Sequence, residues 1–179
     1  MAFFNFSPKR KNIKADSSNE RRLKINEPVT AAPGSNLYCP GCHSVYYKKA
    51  WHNNPQLFEE VSQDSNNAQQ CPACQRIKDN TPLGILTLEN IEDAEHRQML
   101  INTIENIGER AQARDSQERI MKIEETGNKL EVYTTENQLA AGIGRQIKKA
   151  FGGKLQIDFS QQRHHDSLAR VTWKHTPKN

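Results

Sequence analysis

Four cysteines in two identically spaced pairs restrict this chain more than any other feature. The first pair is Cys39-Pro40-Gly41-Cys42 and the second Cys71-Pro72-Ala73-Cys74, with 28 residues between them and no further cysteine among the 179 residues. A two-residue gap lets two thiolates point at one ion from a tight turn, and Pro followed by Gly or Ala suits that turn. Two such knuckles complete the tetrahedral four-thiolate shell of a structural zinc site. Cys39, Cys42, Cys71 and Cys74 are therefore expected to hold one structural Zn2+. A pair of disulfides is the first alternative and needs an oxidising compartment. A redox dithiol is the second and needs one pair in a thioredoxin-like setting. A closed all-cysteine shell leaves no open position for substrate, which argues for scaffold over metal catalysis. The gap is longer than the usual ribbon spacing of about 15–20 residues. His43 and His52 are spare ligand types beside a shell that four cysteines already fill.

Composition decides how much core surrounds this site. Only 35% of the residues are hydrophobic and the mean hydropathy is -0.88, too polar for one large core. No apolar run approaches the ~18 residues of a membrane span, so no membrane partner is expected. The start, Met1 to Lys11, has three Phe but no apolar stretch of the secretory kind. A reducing, cytoplasmic location is the expectation, and it favours metal over disulfide.

Charge is unevenly placed. Residues 1–24 carry seven Lys or Arg against Asp16 and Glu20, and residues 136–179 carry eight against Glu136, Asp158 and Asp166. Residues 81–135 carry six basic and eleven acidic side chains. Two basic ends about an acidic middle suit an oriented meeting with a polyanion; chance clustering on a soluble surface is the alternative.

The organisation along the chain follows from period and composition. Residues 1–36 read as a basic disordered arm, with Lys9, Arg10 and Lys11 scattered among polar residues and no sustained apolar period. Such arms neutralise phosphates, and Phe3, Phe4 and Phe6 could stack or pack; a plain disordered terminus is the alternative. Residues 37–80 form the four-cysteine module. Ser44 to Trp51 reads as one strand, in which Lys48 and Lys49 sit beside Tyr46, Tyr47 and Trp51. That patch could touch nucleic acid or serve as the module's own core, the expected role of Trp51. Leu57 to Val61 is expected to form one helical turn.

Residues 81–175 alternate between the two periods. Leu83 to Leu88 is a strand, and Asn90 is expected to cap a helix whose inner positions include Leu100, Ile104, Ile107 and Ala111. Arg119–Glu125 and Lys129–Thr135 form a hairpin about Gly127-Asn128. A second helix spans Glu136 to Phe151, with Leu139, Ile143, Ile147 and Phe151 inward and Arg145, Lys148 and Lys149 outward. Gly152-Gly153 is expected to end it in left-handed fashion. Lys154 to Phe159 alternates with Leu155, Ile157 and Phe159 inward, and Leu168 to Lys174 alternates with Ala169, Val171 and Trp173 on one face. The order is β-α-β-β-α-β with one extra strand, the ferredoxin-like split βαβ pattern, with the helices on one sheet face. The expected fold class is α+β: a small four-cysteine zinc ribbon followed by this domain.

No catalytic constellation emerges, so the chain is not expected to be an enzyme or to take a small-molecule substrate. Gly142-Ile143-Gly144 lacks the third glycine of a dinucleotide fingerprint and lies inside a helix. His164-His165 reads as a solvated loop, although it could bind metal or shuttle protons. His96 is expected on an exposed helix face. The strongest remaining feature is the Arg145, Lys148 and Lys149 face, to which the nearby Lys154 is assigned as one phosphate-meeting patch. Arg170 and Lys174, on one face of the last strand, could extend it. The stacking aromatics of an RNA-recognition sheet are missing apart from Tyr133, so recognition of RNA shape and phosphate is the expected mode. A solvated helix face is the alternative.

The cysteine pairs with Val45-Tyr-Tyr-Lys-Lys-Ala-Trp51-His52, and the stretch Leu130 to Gly153, together resemble short bacterial zinc-ribbon proteins related to the Nmd-three-type ribosomal export adaptors. The resemblance covers roughly residues 37–160. It implies ribosome or ribosomal-RNA association and implies Cys39, Cys42, Cys71 and Cys74 as zinc ligands; it names no RNA contact. The larger adaptors carry more paired cysteines and further domains, so no export role is implied here. The expected function is therefore a zinc-containing, non-enzymatic protein associated with the ribosome or its RNA, in assembly, hibernation or quality control. A zinc-dependent adaptor for a protein partner, and an enzyme acting on RNA or a nucleotide, are the alternatives.

Overall fold

The computed structural model describes residues 36–161 and 167–176. Lys9, Arg10, Lys11 and the His164-His165 pair lie outside the described residues. The described chain begins with three short strands, β1 (Leu37–Tyr38), β2 (Val45–Tyr47) and β3 (Ala50–His52), paired antiparallel in that order. The single strand expected from Ser44 to Trp51 is in fact a hairpin. Lys48 and Lys49 take φ of 48° and 66°, and positive φ at both central residues is the geometry of a tight two-residue hairpin turn. The turn brings Tyr46 opposite Trp51, with ring centroids 5.5 Å apart.

The helical turn expected at Leu57 is a full short helix, α1 (Pro55–Val61). Asn54 caps it by accepting the Leu57 N–H at 3.0 Å, and Pro55 costs nothing where a helix has no intrahelical acceptor for its N–H. Leu57 and Val61 close over Val45 to form a small core. A second helix, α2 (Pro72–Asp79), starts inside the second cysteine pair and ends at Asn80 in the left-handed region.

The larger layer holds β4 (Gly84–Glu89), α3 (Ala94–Arg114), β5 (Ile120–Thr126), β6 (Lys129–Thr134), α4 (Asn137–Phe151), β7 (Lys154–Gln161) and β8 (Ser167–Lys174). The protein is thus α+β, with the elements in the expected chain order. The sheet order is β5-β6-β4-β8-β7. β4 runs antiparallel to β6 and parallel to β8. The additional strand is therefore interior. Its inner side chains explain the position: Ala169, Val171 and Trp173 are at most 1% exposed, a face that must be covered on both flanks.

Both helices lie on one face of this sheet. Leu100, Ile104, Ile107 and Ala111 of α3 and Leu139, Ile143 and Ile147 of α4 share a single core with Leu86, Leu88, Leu130, Val132, Val171 and Trp173. The Gly142-Ile143-Gly144 stretch has a packing role at Gly144, where an added Cβ would stand 2.7 Å from Val171 Cγ1. Helix and sheet approach closely there because the position carries no side chain.

Four local expectations are corrected. Asn90 does not cap α3: it sits at φ 65°, and Asp93 accepts the His96 N–H at 2.7 Å instead. Gly152 ends α4 with φ 76° and ψ -143°, outside the left-handed helical region. Phe159 takes the same face as Leu155 and Ile157 but is 48% exposed, because its end of the edge strand β7 lies beyond the core that those two residues pack against. His96 is partly buried and not fully exposed; its ring packs 4.5 Å from that of His175 and 5.5 Å from Phe151. Burial, and then the neighbouring His175, lowers its pKa.

Candidate metal centre

Each cysteine pair is presented by a different local structure. Cys39 follows β1, and the chain doubles back so that the His43 N–H donates to the Cys39 carbonyl at 2.8 Å and the Cys39 N–H to the Ser44 carbonyl at 2.8 Å. His43 takes φ 64° to close this knuckle. The second pair was expected as a similar turn but is a helix start. Cys71 is the N-cap of α2, and its Sγ accepts the Cys74 N–H at 3.4 Å. Pro72 occupies the first turn of the helix, so the C-x-x-C spacing here is one helical turn.

The two presentations converge. The four Sγ atoms lie within 4.8 Å of one another, and Cys42 Sγ is 3.6 Å from Cys71 Sγ. A tetrahedron with metal–sulfur bonds of about 2.3 Å has sulfur–sulfur edges of roughly 3.8 Å. A disulfide needs about 2.05 Å, and all four cysteines are free. The cluster could hold a metal ion. Cys39 and Cys71 are buried, while Cys42 and Cys74 are partly exposed. Trp51 packs against the group, in line with the core role expected for it.

The hydrogen bonds around the sulfurs suit thiolates. The Cys71 N–H donates to Cys39 Sγ at 3.3 Å, and Ser44 Oγ lies 3.2 Å from Cys42 Sγ. The contact with Cys71 draws the Cys42 thiol down to about 3, against the effect of burial and with help from Arg119 and Ser44. The same contact, together with burial, pushes Cys71 up, and burial raises Cys74. These sulfurs compete for negative charge. A divalent cation would end the competition, because it would bind all of them deprotonated.

One functional neighbour escaped the sequence reading. Arg119, only 7% exposed, donates from Nη1 to Cys74 Sγ at 3.3 Å. Its position 45 residues beyond Cys74, at the start of a strand, offered no spacing signal.

The basic residues singled out from the sequence do not form one surface. Lys48 and Lys49 are exposed at the tip of the β2–β3 hairpin, and Arg145, Lys148 and Lys149 are exposed on α4. Lys154 does not join the α4 patch. Strand side chains alternate between faces; Leu155 packs toward the helices, so Lys154 takes the opposite face. Arg170 and Lys174 lie on that face too, opposite Asp158 and Lys154 in register. Lys174 Nζ there pairs with Glu89 at 3.0 Å and Lys129 Nζ with Glu89 at 3.3 Å. Lys174 and then Lys129 hold the Glu89 carboxyl below its ordinary range.

The sequence matches no protein-family model, and no curated protein matches it. No helix among the described residues is long and apolar enough to cross a membrane.

Proposed function

We propose that this protein is a zinc-stabilised, non-enzymatic protein that associates with structured RNA, as part of or alongside the ribosome, in the cytoplasm. The observation that carries the reading is the exposed Arg145, Lys148 and Lys149 face of α4, a helix packed by its other side on the sheet. Residues three and four apart share one side of a helix, and long cationic side chains on one side meet phosphates without reading bases. The Lys48-Lys49 tip, flanked by Tyr46 and Tyr47, supports a second contact of the same kind. Zinc is the metal of choice for a closed four-thiolate shell, with iron the other ion that such a shell takes. The sheet domain reads as a ferredoxin-like split βαβ layout with β8 inserted between β4 and β7. The family resemblance supports the same partner, and the scarcity of stacking aromatics beside Tyr133 on the sheet's open face favours recognition by charge and shape.

Sedimentation of the tagged full chain in a gentle lysate tests the reading. The expected result is co-migration with a ribosomal particle at low salt and release at high salt. Protein that stays at the top at low salt while retaining its metal overturns it in favour of a protein adaptor. Reversing all three charges, Arg145→Glu with Lys148→Glu and Lys149→Glu, removes the patch without touching the core. Binding to ribosomal RNA is then expected to fall by at least about tenfold at low salt, with a shallower dependence of log K on log salt. Titrations at four salt concentrations measure that slope, and an unchanged slope rejects the patch.

A further inference from the structure

We propose that Arg119 is the built-in counter-charge of the metal centre, donating an N–H···S hydrogen bond to Cys74 and tying the metal's charge to the sheet domain. The inference rests on the zinc reading above. Four thiolates about a divalent ion leave two net negative charges in a partly buried place, and such charge needs a partner. Arg119 is where that partner stands. Its Nη1 is 3.3 Å from Cys74 Sγ, and its Nε donates to the Ser116 carbonyl at 2.7 Å. Its own N–H donates to Thr135 Oγ1 at 2.9 Å, and the Thr135 N–H returns to the Arg119 carbonyl at 3.0 Å. The guanidinium is therefore aimed at the sulfurs by backbone on both sides of the sheet's first hairpin.

A second bond takes the same route. The Ala73 N–H, in the first turn of α2, donates to Gln117 Oε1 at 3.1 Å, and Gln117 O accepts from Thr135 Oγ1 at 2.6 Å. The segment 116–119 thus grips the second cysteine pair at two points. A planar guanidinium suits this place better than an ammonium, because it can bond sulfur and carbonyl at once in a fixed fork.

The test uses the full chain. Zinc content of the wild type is measured first; no stoichiometric zinc overturns the zinc reading itself, whatever the Arg119 variants do. In zinc-loaded protein, Arg119→Gln is expected to weaken zinc binding about 10–100-fold in competition with a chromophoric chelator, the size usual for an outer partner of a metal ligand. Arg119→Lys, which keeps the charge, is expected to recover part of the loss. In the cobalt-substituted protein, the sulfur-to-metal charge-transfer band is expected to move to lower energy in Arg119→Gln. A purely structural role would leave that band in place. Introducing Cys74→His removes one thiolate charge and the accepting sulfur, so the Arg119→Gln penalty is expected to shrink in that background. Unchanged zinc affinity in Arg119→Gln, an unmoved cobalt band, or an equal penalty in both backgrounds overturns the proposal.

Discussion

Cys39→Ser is expected to abolish stoichiometric metal binding and unfold the region from Leu37 to Asp79, leaving the sheet domain folded. The expectation rests on how little else holds this region. Its cores are two clusters, Val45 with Leu57 and Val61, and Cys39 with Cys71 and Ala73. Cys39 is fully buried and accepts the Cys71 N–H at 3.3 Å, so its sulfur joins the two halves of the site even before an ion is considered. Serine is smaller and is no thiolate. Structural zinc contributes about 10–16 kcal/mol of apparent binding free energy in small zinc modules, and that energy is folding energy. A region with two clusters this small cannot replace it. The sheet domain has its own core of residues such as Leu86, Ile104 and Ile143, all fully buried. Metal analysis, with amide hydrogen exchange read separately over residues 37–79 and 84–174, checks both halves of the statement. A Cys39→Ser protein that keeps one metal per chain, or keeps slow exchange in the first region, contradicts it.

Trp173→Ala is expected to cost ~3–5 kcal/mol of stability, the range for deleting a large buried aromatic. Trp173 is fully buried in β8, and its indole N–H donates to the Gly152 carbonyl at 2.8 Å. That carbonyl stands just beyond the end of α4, so the ring pins the end of the helix bearing Lys148 and Lys149. Gly153, at φ 79°, lets the ring come close: an added Cβ would lie 2.9 Å from Trp173 Nε1. The rings of His96 and His175 pack beside the indole, with centroids 6.4 and 5.7 Å away. Urea unfolding is expected to show a lower midpoint with an unchanged slope. Trp173→Phe keeps an aromatic ring but loses the hydrogen bond, and is expected to cost clearly less. RNA affinity is expected to fall in the Ala variant although no charge is removed, because the end of α4 loses its anchor. A loss below about 1 kcal/mol contradicts this account of how α4 is held.

The alternation of periods along the chain made most of the larger domain legible. Leu139, Ile143 and Ile147 recur at helical spacing and lie buried; Gly127-Asn128 turns a hairpin as such pairs do. Local rules failed where a local competitor was stronger. Asn90 has the chemistry of a cap, but Asp93 stands one turn nearer the first helical residue and wins the N–H groups. Lys48-Lys49 carries no glycine and so gave no turn signal, yet pairing between Tyr46 and Trp51 requires the chain to reverse there. Phe159 alternates correctly with Ile157, but alternation says only which face a side chain takes, not whether a helix reaches far enough to cover it.

Residue type and spacing alone thus specified the four clustered cysteines, because a C-x-x-C pair is a local device whose geometry travels with its sequence. They also specified the helices and strands of the larger sheet domain and the outward face of α4, since period is a property of the backbone; α2 and the β2–β3 hairpin were not legible in this way. Tertiary structure decided the remainder. It placed β8 inside the sheet, separated Lys154 from Arg145 across that sheet, and delivered Arg119 to Cys74 from 45 residues away. Each of these depends on which strand lies beside which. That choice is made by the burial of whole faces, and no short stretch of chain encodes it.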